Sequence, residues 1–174
     1  MKQSNVQDRE EHNTDEGTEP ASLAALSGLR VLVVEDEPKV HQMITLMLSG
    51  HGAQVQCANS AAAGFKLLQA WRPDVLISDL HMPAEDGYSL IAKVRELPPH
   101  DGGRTPAMAL TGLVHSEYRE RAIAAGYQLF VEKPFIAVLM LDATRKHERD
   151  VQNPVHHVAR FLRTSITAKC WWSP

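Results

Sequence analysis

The sequence predicts an α/β fold, a doubly wound five-stranded parallel sheet with helices on both faces. Three observations carry that expectation. Short runs rich in β-branched residues alternate five times with segments of helical periodicity. The runs are short, and the first, Arg30 to Val34, is apolar on both faces, as a strand covered from two sides must be. They hold almost nothing ionisable, while carboxylates, a hydroxyl and an ammonium collect at their carboxyl ends.

The elements follow in order. Arg30 to Val34 is too short for a helix and reads as a buried central strand. Pro38 suits a first helical turn, and Val40, Met43, Ile44, Met47 and Leu48 form one apolar stripe before Gly50 and Gly52. Ala53 to Cys57 is the second strand; Ser60 then caps a helix to about Trp71, with Ala61, Phe65 and Leu68 inward. Val75 to Ser78 is the third strand, and Leu90, Ile91, Val94 and Leu97 mark the third helix. A surface loop from Pro98 to Pro106 leads into a fourth strand, Ala107 to Leu110. Ser116 is expected to cap a fourth helix that Gly126 stops. Gln128 to Val131 is the fifth strand, and Ile136, Leu139, Met140 and Ala143 trace a fifth helix.

Length and composition set limits on function. A chain of 174 residues holds one ordinary domain plus tails, and 44% hydrophobic content suffices for a core. A net charge of −3 argues against general nucleic-acid binding. Cys57 and Cys170 form no CxxC pair, so neither a disulfide framework nor a thiolate metal site is indicated. No apolar leader and no run of membrane-spanning length is present, so a reducing, cytoplasmic setting is expected. Residues 1–28 are expected to be a flexible acidic tail, with Lys2 and Arg9 against six acidic residues. Residues 29–147 form the domain. Residues 148–174 form a second tail, in which Val155, Val158, Leu162 and Ile166 allow a short amphipathic helix.

Ligands of open α/β sheets bind beyond the carboxyl ends of the strands. There the sequence places Glu35 and Asp36 after the first strand, Asp79 after the third, Thr111 after the fourth and Lys133 after the fifth. Carboxylates held close repel unless a cation joins them, and Mg²⁺, a hard ion preferring oxygen, suits the set. Lys133 supplies a further positive charge, and the Thr111 hydroxyl a donor for a phosphoryl oxygen. Gly112 leaves space beside that hydroxyl and exposes an N–H. A carboxylate attacks phosphorus without a general base, which makes Asp79 the candidate phospho-acceptor.

The runs VLVVEDEP, DVLISDLHMPAEDG, ALTG and FVEKPF resemble, in order and spacing, the signature segments of the response-regulator receiver family, similar to the chemotaxis receiver. The resemblance covers about Leu29 to Lys146 and implies the flavodoxin-like strand order 2-1-3-4-5. It implies that Asp36 binds Mg²⁺ directly, Glu35 through water, and His81 through its backbone carbonyl. It also implies that Asp79 accepts the phosphoryl group, Thr111 is the switch hydroxyl and Lys133 the phosphoryl-binding lysine. Phe130 is the implied aromatic switch, and Lys133–Pro134 the implied cis bond. Glu35 is one methylene longer than aspartate, Gly112 stands where alanine is frequent, and Phe130 replaces a tyrosine.

The resulting expectation is a stand-alone receiver, not an enzyme turning over an external substrate. Its donor is a histidine kinase or histidine phosphotransfer protein. A downstream protein target would meet the face formed by the fourth helix, fifth strand and fifth helix. Direct DNA binding and membrane insertion are not expected, and a homodimer is allowed. Two other readings remain open on the residues. One is a phosphohydrolase on a related fold, which would need a second acid where His81 stands. The other is a binding module that is never phosphorylated.

Overall fold

The computed structural model describes residues 26–112 and 115–133. The expected fifth helix, both outer tail segments and Pro134 lie outside the described residues. β1 (Arg30–Val34), β2 (Gln54–Ala58), β3 (Val75–Asp79), β4 (Ala107–Thr111) and β5 (Leu129–Glu132) form one parallel sheet in the order β2-β1-β3-β4-β5. Between them run α1 (Pro38–Gly50), α2 (Ala61–Trp71), α3 (Gly87–Glu96) and α4 (Ser116–Ala125), with a short 3-10 turn at Pro99–Asp101.

Strand alternation sorts the core into two layers. Leu32 and Val34 of β1, Leu76 of β3 and Ala109 of β4 face one side, where α2, α3 and α4 contribute Leu68, Leu90, Ile91, Val94 and Ala122. Val31, Val33, Val75, Ile77, Met108 and Leu110 face the other, beneath Ile44 and Leu48 of α1. All five residues of β3 are buried, because β1 and β4 flank it and both faces are covered. The packed domain also includes Leu26, within the span read as tail from sequence: it is buried, and its N–H donates to His51 O at 3.0 Å.

The boundaries differ from the sequence reading at several points. Ala53 donates its N–H to Leu48 O, which spends it on the end of α1, and β2 therefore starts one residue later at Gln54. Ser60 caps α2 as expected, accepting from Ala63 N at 3.3 Å. Ser116 is instead the first residue of α4; His115 occupies the cap position without a side-chain hydrogen bond. α3 begins earlier than its apolar stripe suggests, because Asp86 accepts from Ser89 N at 2.8 Å and starts the helix at Gly87. The expected Pro98–Pro106 loop is held from inside. Arg95 donates to Gly103 O, Thr105 O, Gly126 O and Gln128 Oε1, joining α3, this loop and the end of α4.

Candidate functional site

Three strands deliver the site because their ladders run to the last residue before it. Glu35 N donates to Ala58 O at 3.0 Å, prolonging the β1–β2 pairing, and the side chain leaves from there. Asp79 is the last residue of β3. Lys133 N donates to Thr111 O at 2.6 Å, so the end of β4 fixes the start of the lysine side chain. The three side chains meet above the sheet. Lys133 Nζ lies 2.7 Å from Asp79 Oδ2 and 2.7 Å from Glu35 Oε2. Asp36 completes the group: carboxylate oxygens of Glu35, Asp36 and Asp79 lie within 4.8 Å of one another.

Main-chain donors orient two of these carboxylates. His81 N–H donates to Asp79 Oδ1 at 3.2 Å, and Glu37 N–H to Glu35 Oε1 at 3.3 Å. Glu35 Oε2 is buried and has the Lys133 charge beside it, yet no donor is aligned on it as a hydrogen bond. Burial pushes the Glu35 carboxyl above its usual range, and the Asp79 charge adds to this, against the pull of Lys133. Burial alone would lower the Lys133 ammonium; the hydrogen bond to Asp79 and the close charges of Asp79 and Glu35 outweigh it, so its net shift is upward.

This donor set fits a hard divalent cation. It is all oxygen, it carries three carboxylates against one ammonium, and it leaves a buried oxygen lacking an aligned donor. Among the described residues this is the one acidic or His/Cys cluster with such spacing.

The other expected site residues are placed as follows. Thr111 is fully buried at the end of β4. Gly112 is exposed, and a Cβ there would meet nothing within 4 Å among the described residues, so none of these fills the space expected beside Thr111. The His81 side chain is exposed and edge-on to Tyr118, 5.8 Å between ring centroids. Phe130 is half-buried, pairs with Ala109 across the ladder and packs on the layer beneath α2, α3 and α4. Pro134 and its peptide bond lie outside the described residues.

Sequence reasoning missed Gly87. A Cβ on it would lie 2.2 Å from Asp79 O and 3.0 Å from Leu80 Cα, so α3 starts directly against the main chain of the aspartate. The Asp-Gly pair at 86–87 was its signal: an Asp able to cap, followed by a residue with no side chain. Tyr127 and Ser78 were missed too, and neither carries a local signal, since their partners are distant in sequence or in the main chain.

Comparison with known proteins agrees with the fold and the motifs. The family model described as "Response regulator receiver domain" matches residues 31–145. A 14.6 kDa protein encoded beside sodA1 in Leptolyngbya boryana is 38% identical over 112 residues, covering 64% of this chain and 84% of that protein. Chemotaxis protein CheY4 of Vibrio cholerae superposes with a TM-score of 0.59 at 28% identity, over 67% of this chain and 98% of the other. The receiver domain of a Pseudomonas aeruginosa sensor histidine kinase, solved with a magnesium ion in its active-site cleft, gives 0.58 at 30% identity, over 68% and 97%. Other curated relatives are much longer: the chain spans 29% of the Escherichia coli regulatory protein AtoC and 7% of the Dictyostelium discoideum hybrid histidine kinase D.

Proposed function

The chain belongs to the response regulator receiver domain family, and on that premise we propose that Asp79 takes a phosphoryl group from a phosphohistidine and thereby switches a protein-binding surface. The observation that carries the reading is the contact of Asp79 Oδ2 with Lys133 at 2.7 Å, inside a cluster of three carboxylates that suits a divalent cation.

The chemistry needs few groups. An Asp79 oxygen attacks phosphorus, the P–N bond of the phosphohistidine breaks, and its electron pair stays on the imidazole nitrogen. The product is an acyl phosphate. Glu35, Asp36, Asp79 and the His81 carbonyl would hold Mg²⁺, Glu35 by way of a water. Bound there, the ion supplies positive charge against the phosphoryl oxygens. Lys133 exchanges part of its pairing with Asp79 for a phosphoryl oxygen. The Thr111 hydroxyl turns to another oxygen, which requires it to leave its buried position. Phe130, now half-buried, then moves further into the layer beneath α4. The surface of α4 and β5 changes its partner affinity, a shift between two packings.

The proposal keeps the stand-alone arrangement, with a histidine kinase or phosphotransfer protein as donor, a separate protein as target and the cytoplasm as setting. The chain matches sensor histidine kinases over a part of their length, which supports this donor class. The test is labelling of the full chain by acetyl phosphate. Incorporation of about one phosphoryl group per chain is expected with Mg²⁺, none with a chelator, and none in Asp79→Asn. Full labelling of that variant rejects the assignment, and release of many phosphates per chain from simple esters would indicate a phosphohydrolase instead.

A further inference from the structure

The described residues of this chain contain a buried hydroxyl that the switch chemistry does not use. Tyr127, between α4 and β5, is 2% exposed, and its hydroxyl donates to Gly87 O at 2.8 Å across 40 positions of sequence. On the strand that carries the aspartate, the Ser78 hydroxyl donates to Asp79 O at 2.9 Å. Gly87 is tied to the same stretch from its other side, its N–H donating to Leu80 O at 3.1 Å. The bare Cα of Gly87 approaches the Asp79 carbonyl so closely that a methyl group would sit 2.2 Å from the oxygen.

Two groups therefore meet the Asp79–Leu80 peptide unit, the Ser78 hydroxyl and the Gly87 main chain, and the Tyr127 hydroxyl holds the second of them through Gly87 O. We propose that Tyr127 is a positioning residue for the phospho-acceptor, holding the Asp79–Leu80 main chain so that the carboxylate stays aimed at Lys133 and the carboxylate cluster. Burial pushes the phenol well above its usual range, which favours the protonated form that donates to Gly87 O. The hydroxyl, rather than the ring alone, is what reaches Gly87; a phenylalanine would fill the same core space and lose the tie.

The inference rests on the reading of Asp79 as phospho-acceptor, and the test separates the two. Tyr127→Phe, Ser78→Ala, the double variant and the wild-type full chain are compared well below their unfolding temperatures. Without metal or phosphodonor, amide exchange at His81 and Gly87 is expected to quicken about fivefold in Tyr127→Phe, the factor commanded by one buried hydrogen bond. Labelling by acetyl phosphate in saturating Mg²⁺ is expected to slow by a similar factor, with the double variant no slower than the slower single variant. Leu48→Ala, in the opposite core layer, serves as a control for lost stability and is expected to label at the wild-type rate.

Labelling of Tyr127→Phe within about twofold of wild type overturns the proposal. Equal slowing in Leu48→Ala overturns it as well, since lost stability then explains the effect. Labelling that persists in Asp79→Asn defeats the phospho-acceptor assignment itself, while the exchange rates still decide whether Tyr127 holds this main chain.

Discussion

At the scale of single residues, charge and space decide what can stand at the ends of β1, β3 and β5. Lys133 is the one cation between two nearly buried carboxylates, its side chain 21% exposed against 1% for Glu35 and 8% for Asp79. Removing it leaves both carboxylates their main-chain donors but no cationic partner among the described residues. Lys133→Ala is expected to cost about 1–3 kcal/mol in urea unfolding with a chelator present, a loss discounted for partial exposure, and Mg²⁺ should recover most of it. An unchanged midpoint in the chelator would show that the pair does not relieve repulsion. Gly87 tests space instead of charge. Its missing methyl group would meet a backbone oxygen, which has no flexible end to move aside. Gly87→Ala is thus expected to lower stability by roughly 1–3 kcal/mol and to impair labelling together with it. Wild-type melting and labelling in that variant would contradict the close approach. Glu35, Asp36, Asp79 and Lys133 were legible in the sequence because each stands within two residues of the end of an apolar run, and strand ends are where a parallel sheet exposes its chemistry. Tyr127 was not legible, because its partner lies 40 residues away and neither position has a periodic or turn signature. His41 on α1 gives no sequence signal of its surroundings: it is half-buried, and its Nε2 is enclosed without a hydrogen-bond partner among the described residues.

Elements were legible where a period or a terminating residue was strong. The stripe of α1, the Ser60 cap of α2 and the Gly126 stop of α4, at φ 117°, all follow from local chemistry. The start of α3 was hidden because Asp86-Gly87 reads equally as a turn. There the cap has a pH signature. Burial tends to raise the Asp86 carboxyl, but the Ser89 hydrogen bonds and the Arg121 charge outweigh it, and its folded-state pKa is lowered. A lowered carboxylate contributes stability that is present above the unfolded value of about 4 and is lost as pH falls through the folded one. Asp86→Ala is therefore expected to lose about 1 kcal/mol near neutrality. The gap between it and wild type should close as the solution is acidified below about pH 4. A gap that stays constant across that range would mean that the ionised carboxylate does not stabilise the helix.

For the molecule as a whole, β3 carries both the core and the chemistry. Leu76 and Ile77 point into opposite layers, and Asp79 follows two residues later on the same strand. Leu76→Ala is expected to cost ~2–5 kcal/mol, the range for emptying a packed core site. Leu46→Ala, at a side chain 67% exposed on α1, should stay within about 0.5 kcal/mol of wild type. A reversal of that order in urea unfolding would contradict the layer assignment. The fold class was legible because strands alternate strictly with helices, whereas the strand order that brings residues 35, 79 and 133 together was implied by the resemblance of the four motifs. The most direct measurement is the location of the transferred group: the full chain is treated with acetyl phosphate and Mg²⁺, the acyl phosphate is trapped by borohydride reduction, and the modified residue is read by peptide mass spectrometry. Conversion of Asp79, absent when a chelator is added, is the result expected. Conversion elsewhere, or labelling indifferent to the metal, would contradict the account.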